Sequence, residues 1–144
     1  MVVTLRAAAR SDRQFVESVY FQTQRWIIEH LFGWRGDEIE RAKFHEFYVE
    51  SEAQLVNFDG NDVGWISVRK GASSMEIQSI YILPQAQNMG IGTMLIGRII
   101  NDARAVGLPV TLSTAKINPA RALYERLGFE VYRENELKVF MKRS

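Results

Sequence analysis

Gln87-Asn88-Met89-Gly90-Ile91-Gly92-Thr93 follows an apolar run, Ile77 to Leu83, that breaks at Pro84. It precedes an amphipathic pattern from Ile91 to Val106. A strand that stops at a proline, turns through two glycines and opens a helix leaves several backbone N–H groups unpaired at one point. With the helix dipole behind them, these donors suit an anion such as a diphosphate. A backbone without Cβ also lets phosphate oxygens approach closely. The stretch therefore reads as the seat of a phosphorylated cofactor, against the plainer reading of a tight turn with no ligand. It is not a dinucleotide fingerprint, because Leu95 stands where a further glycine is needed. Nor is it a Walker loop, since no Gly-Lys-Ser or Gly-Lys-Thr occurs.

Outward from this turn, Ile91, Leu95, Ile99 and Ala103 recur at helical spacing beside Ile96 and Ile100, and Gly107 with Pro109 ends the helix. Upstream, Ala53–Phe58 and Val63–Lys70 read as strands joined by Asp59-Gly60-Asn61, a hairpin signal. Met75–Leu83 is a third strand after the turn at 71–74. Val2–Ala8 reads as a short first strand, with Ser11 or Asp12 capping a helix that runs to Phe32. In that helix Phe15, Val19, Gln22, Trp26 and Ile27 fall near one face. Gly33 interrupts it, and Asp37–Val49 forms a second helix. Downstream, Val110–Ala115 is a buried strand, and Asn118 as N-cap with Pro119 at the first helical position opens a short helix that Gly128 closes. Phe129–Arg133 and Leu137–Met141 make a closing pair of strands. The order is βααβββαβαββ, an α/β class, expected as one domain over residues 1–144.

The totals narrow the function. A chain of 144 residues with 47% apolar content can bury a real core. A formal net charge of +1 argues against nucleic acid as a partner. Without cysteine, disulfides, thiolate metal sites and a thiol nucleophile are excluded. His30 and His45 are too few for a metal cluster, so no metal is expected. The first residues lack the apolar core of a signal peptide, and no window approaches the roughly 18 apolar residues that span a bilayer. The expectation is a soluble cytoplasmic protein with no membrane partner.

Ile80-Tyr81-Ile82-Leu83-Pro84 followed by Gln87-Asn88-Met89-Gly90-Ile91-Gly92 resembles motif A of the GNAT family of N-acetyltransferases. Asn118-Pro119-Ala120-Arg121-Ala122-Leu123-Tyr124-Glu125-Arg126-Leu127-Gly128-Phe129 is similar to the family's motif B helix. The element order matches over nearly the whole chain. The resemblance implies a mixed, mostly antiparallel sheet of about six to seven strands flanked by helices. It also implies acetyl-coenzyme A as co-substrate and a primary amine, small molecule or peptide, as acceptor. On that basis the N–H groups of Gln87, Asn88, Met89, Gly90, Ile91, Gly92 and Thr93 cradle the diphosphate. The strand edge at Ile80 and Ile82 pairs with the pantetheine amides. The family's splay between this strand and Val110–Ala115 admits the arm.

Acetyl transfer to an amine poses two proton problems. An amine of pKa about 10 must lose a proton before attack, and a leaving thiolate, resembling a thiol of pKa about 8.5, is better expelled with one supplied. The resemblance points to Tyr124 as the donor beside the sulfur, with packing against Leu123 and Leu127 as the bland alternative. Asn118 has a sufficient reason as an N-cap, and contact with the cofactor arm is a second duty. For the base the choice is Glu76, eleven positions before Gln87, or ordered water held by Gln78. A solvated glutamate at a strand start is the alternative for Glu76. Trp26, His30, Trp34, Asp37, Glu38, Glu40 and His45 cluster around the Gly33 break. Trp26, Trp34 and Glu38 are the acceptor candidates by cation–π contact and charge pairing. Lys138, Lys142 and Arg143 read as solvated charges. Two other readings stay open: a non-catalytic acyl-coenzyme A sensor on the same fold, and an interaction protein with an empty glycine turn. A closing strand left exposed is where a homodimer would form.

Overall fold

The computed structural model describes residues 2–144. Its elements are β1 (Val3–Ala7), α1 (Arg13–Phe32), α2 (Asp37–Phe47), β2 (Ala53–Phe58), β3 (Asn61–Lys70), β4 (Met75–Ile82), α3 (Ile91–Ala105), β5 (Val110–Ala115), α4 (Ala120–Arg126), β6 (Glu130–Glu134) and β7 (Lys138–Arg143). Their order is the expected βααβββαβαββ. The strands form one sheet in the order β1-β2-β3-β4-β5-β7-β6. The pairs β1–β2, β2–β3, β5–β7 and β6–β7 are antiparallel, and β4–β5 is parallel. The α/β, mostly antiparallel class is as expected. Chain contacts cluster into two units, one holding residues up to Ser67 with Ser79–Gln87, the other Val68–Gln78 with Asn88–Ser144.

The core of the first unit is aromatic. Val16 and Val19 of α1, Phe44 of α2, Tyr48, Leu55 of β2 and Trp65 of β3 are buried together, with Tyr20, Phe21 and Tyr81 packed against them. Burial of such side chains is the main drive to order this unit, each contributing roughly 1.5–3 kcal/mol. The face of α1 differs from the sequence expectation. Val16, Val19 and Ile27 are buried, whereas Gln22 is exposed and Trp26 is 47% exposed. Nor does Asp12 cap α1 with its side chain, whose Oδ2 instead accepts from the Ala9 N–H and from Arg6. The β2–β3 hairpin turns through Asp59 and Gly60, with φ of 49° and 94°, the pair of left-handed residues a tight two-residue turn requires. Gly64 on β3 has no room for a side chain: a Cβ there would lie 2.1 Å from the Tyr81 carbonyl oxygen on β4.

In the second unit Ile91, Leu95, Ile96, Ile99, Ile100 and Ala103 form the buried face of α3, as their spacing predicts. Val110, Leu112, Val139 and Met141 supply buried sheet positions. β5 and β7 pair along their full lengths, from Val110↔Arg143 to Ala115↔Lys138. β4 and β5 pair only at Met75↔Val110 and Glu76↔Thr111.

Candidate functional site

In the second unit the glycine turn is open. Asn88, Met89 and Gly90 are exposed, and so is Thr93. Among the described residues, none of the backbone N–H groups of residues 88–93 has a hydrogen-bond acceptor, and the first internal bond is Met94 N–H to Gly90 O at 3.0 Å. Asn88 has φ 63° and Gly90 φ 81°, both left-handed, a backbone conformation from which anion-binding N–H nests are built. Ile91 contributes its N–H while its side chain is buried in the core.

The two glycines have different reasons to be present. Gly90 is required by its left-handed backbone. Gly92 is not left-handed, and a Cβ there would meet only Leu123 Cδ2 at 3.5 Å, an ordinary contact. The fold itself would accept a side chain at Gly92. Its absence leaves the Gly92 backbone uncovered by a side chain of its own.

Tyr124 sits on α4 and is only 7% exposed. Its ring meets Phe129 edge-on at 6.0 Å, and its hydroxyl has no hydrogen-bond partner among the described residues. Burial pushes the phenol up to about 12, so it keeps its proton throughout the neutral range. Asn118 caps this helix: its Oδ1 accepts from the Ala120 N–H at 3.0 Å, and Pro119 already has helical angles. Glu76 and Gln78 lie on one face of β4, where the Gln78 amide donates to Glu76 Oε1. Glu76 is exposed.

Residues 10–129 match the profile of the acetyltransferase (GNAT) family. The chain belongs to that family. An uncharacterized N-acetyltransferase of Methanocaldococcus jannaschii is 28% identical over 116 residues, covering 79% of this chain and 50% of that protein. The amino-acid acetyltransferase of Neisseria meningitidis serogroup A is 34% identical over 89 residues, covering 60% of this chain and 20% of the relative. The chain thus spans half or less of these curated relatives. In fold it is similar to the PaiA N-acetyltransferase of Thermoplasma acidophilum crystallised with coenzyme A, with TM-score 0.80, 16% identity, and coverage of 100% and 99% of the two chains.

The first unit of this GNAT chain holds the remaining candidates. Ile80 and Ile82 are half-buried on β4. Gln87 turns its side chain back, donating from Nε2 to Ile82 O at 2.8 Å, while its own N–H bonds Pro84 O at 3.2 Å. The Gln87 N–H is therefore already engaged, and the free donors begin at Asn88. Around the Gly33 break the sequence cluster separates. Trp34 donates from Nε1 to Asp37 Oδ1 at 2.8 Å, and the Arg25 guanidinium lies 4.0 Å over its ring. The cation that Trp34 binds is thus the chain's own. Trp26 and Glu38 are exposed. Glu40 is 2% exposed, its carboxylate enclosed by Arg35, so it is a structural anion and not an acceptor ligand. His45 lies 3.6 Å from Glu17, and His30 is exposed.

Sequence reasoning missed the Arg35–Glu40 pair and mistook Arg143 for a solvated charge. Arg143 is half-buried and donates from Nε to Leu127 O at 2.9 Å. No local signal marks either pairing. Among the described residues no group of three His, Cys, Asp or Glu could hold a metal ion, and no helix is long and apolar enough to cross a membrane.

Proposed function

We propose that this chain is an acetyl-coenzyme A-dependent N-acetyltransferase acting on a primary amine by direct transfer, with residues 1–144 serving as one catalytic domain. The observation that carries the reading is the open turn: unpartnered N–H groups from Asn88 to Thr93 at the start of α3, with a glycine at 92 that the fold does not need. Such a cradle fits a diphosphate. The coenzyme bound to the PaiA structure and the family's activity support the same ligand.

The chain's residues divide the work by chemistry. The amides of 88–93 hold the diphosphate, and the backbone of Ile80 and Ile82 offers strand-type partners to the pantetheine amides. Bound acetyl-coenzyme A would supply an acetyl group activated as a thioester. As the amine nitrogen bonds the acetyl carbon and the carbon–sulfur bond breaks, one proton must leave nitrogen and one must reach sulfur. Tyr124, neutral at working pH, offers its phenol proton to sulfur as the carbon–sulfur bond breaks, and the phenolate left behind regains a proton from water. Glu76, exposed and linked to Gln78, receives the amine proton directly or through water. Asn118 fixes the start of the helix that bears Tyr124. Trp26 and Glu38, exposed on α1 and α2, are the acceptor-facing candidates that remain, while Trp34 positions the α1–α2 connection. With no cysteine in the chain, an acetyl-thiol enzyme does not enter the reaction.

The test is a panel of amines, including free amino acids, polyamines and peptides, assayed with acetyl-coenzyme A for free thiol release. Calorimetry with coenzyme A runs beside it. Turnover with one amine class, reduced about 10²–10⁴-fold by Tyr124→Phe with coenzyme binding kept, supports the reading. Binding without turnover for any amine would instead identify an acyl-coenzyme A sensor. No binding at all would leave the turn empty.

A further inference from the structure

α4 runs only from Ala120 to Arg126, far too short to hold its own conformation in water. Whatever fixes its two ends therefore fixes Tyr124. The N-terminal end is held by Asn118, as described. The C-terminal end is held from a strand that lies 16 residues further along the chain. Arg143 Nε donates to the Leu127 carbonyl at 2.9 Å, taking up a C-terminal acceptor of the helix and placing a cation at its negative end. Gly128, the next residue, has φ 91°, and a Cβ there would lie 3.1 Å from Arg143 Nε and 3.7 Å from its Cδ. The Arg143 side chain thus lies across the surface that a glycine leaves bare. Arg143 is itself anchored, as the β7 residue paired with Val110 of β5 in a ladder that runs the length of both strands. From the same helix end, Phe129 N–H returns to Tyr124 O at 3.0 Å, and the Phe129 ring packs on Tyr124.

We propose that Arg143 is a positioning residue for Tyr124: with Gly128 it clamps the C-terminal end of α4 to the β5–β7 ladder and so sets where the phenol stands. The proposal rests on the acetyltransferase reading for its catalytic consequence but not for its structural one. Every group in the clamp belongs to the second unit. A lysine at 143 would keep the charge and lose the planar Nε–H that points along the carbonyl.

The experiment uses the full chain and two readouts. Hydrogen exchange follows the backbone amides of residues 120–129, with those of α3 as an internal reference. Steady-state kinetics give kcat and the KM for acetyl-coenzyme A. Arg143→Met should raise exchange in 120–129 about tenfold with α3 unchanged, consistent with loss of one charge-assisted hydrogen bond. It should lower kcat about tenfold while KM moves less than about twofold. Arg143→Lys should restore only part of either. In a Tyr124→Phe background, Arg143→Met should add little to the loss of kcat, because the residue acts through the phenol. Arg143→Lys, which leaves the Gly128 backbone untouched, carries the exchange test if Arg143→Met fails to fold, and should show a smaller rise over the same amides.

Unchanged exchange over 120–129 in Arg143→Met, or in Arg143→Lys where that variant fails to fold, would overturn the clamp. A kcat loss that multiplies fully with that of Tyr124→Phe would overturn the positioning role. Should the wild-type chain transfer acetyl to no amine, the acetyltransferase reading fails, and the exchange measurement still decides whether Arg143 holds α4.

Discussion

Arg35 donates from Nε and Nη2 to the two carboxylate oxygens of Glu40 at 2.8 and 2.9 Å, and its backbone N–H adds a third bond at 3.1 Å. Sequence alone places Glu40 only within the cluster around the Gly33 break, and the geometry makes it the lock of the α1–α2 connection. The Arg35 side chain hydrogen bonds hold the Glu40 carboxyl below the usual carboxylate range, against burial, which pushes it up. Removing one partner of a fully buried pair costs about 3–5 kcal/mol. Here Glu40 is 2% exposed but Arg35 is 41% exposed, so water can solvate the orphaned guanidinium. We expect Glu40→Ala to destabilise the chain by about 2 kcal/mol. A depressed folded pKa stabilises the fold above the unfolded value of about 4.3, and that contribution is lost as pH falls through the folded value. Urea midpoints of wild type and Glu40→Ala should therefore converge on acidification below about pH 4. A gap that persists unchanged there would refute the electrostatic origin.

Tyr124 gives the opposite pH signature. Its folded pKa of about 12 lies above the ordinary tyrosine value of 10.0, because burial disfavours the phenolate. A raised folded pKa contributes stability that is complete below the unfolded pKa and is lost as pH rises through the folded one. Between about pH 9 and 11 wild type should lose on the order of 1 kcal/mol more stability than Tyr124→Phe. Burial raises Tyr20 and Tyr48 as well, but both are present in either protein and cancel in the comparison. Denaturant midpoints across that range check it, and parallel pH curves for the two proteins would rule it out.

The legible parts of this chain are those whose signals are local. The spacing from Ile91 to Ala103, the Asp59-Gly60 turn and the Asn118 cap each depend on neighbours within a few residues, and each appears as read. The left-handed turn at Gly90 belongs with them. What escaped notice was decided by tertiary contact. The sequence pattern sets Trp26 on one face of α1 with Phe15, Val19, Gln22 and Ile27, yet the buried residues are Val16, Val19 and Ile27, and Trp26 is left outside. Arg143 and Leu127 are 16 residues apart, and no local pattern announces a side chain that caps a distant helix. Gly64 in mid-strand is, by contrast, a local sign of close backbone approach.

Gly64→Ala follows from that close approach. A Cβ at 64 would stand 2.1 Å from Tyr81 O and 3.1 Å from Ile82 Cα, both backbone atoms that cannot swing aside like a side chain. Either β3 or the end of β4 must move. We expect a loss of about 3 kcal/mol or more, at the upper end for overpacking, with the melting temperature as the measurement. Because the displaced segment carries Ile80 and Ile82, any folded Gly64→Ala protein should also bind coenzyme A more weakly. A variant with wild-type melting and affinity would show that β4 has slack that its contacts do not reveal.

Gly92→Ala separates a ligand site from an empty turn. In the fold, the added methyl meets only Leu123 Cδ2 at 3.5 Å, so it costs nothing in packing. Alanine is also a better helix residue than glycine, and Gly92 lies in the first turn of α3, so stability should hold or rise by about 0.5 kcal/mol. A diphosphate seated on the amides of residues 88–93 would meet that methyl directly. Its affinity should then fall about tenfold or more, a loss of roughly 1.4 kcal/mol, while the free protein is no less stable. Gly90→Ala should behave differently, since its φ of 81° strains any side chain and about 1–2 kcal/mol of stability should go with the affinity. Thermal melts and coenzyme A calorimetry on the two variants give the four numbers needed. If Gly92→Ala binds coenzyme A as tightly as wild type, the glycine is incidental and the diphosphate does not sit on this turn.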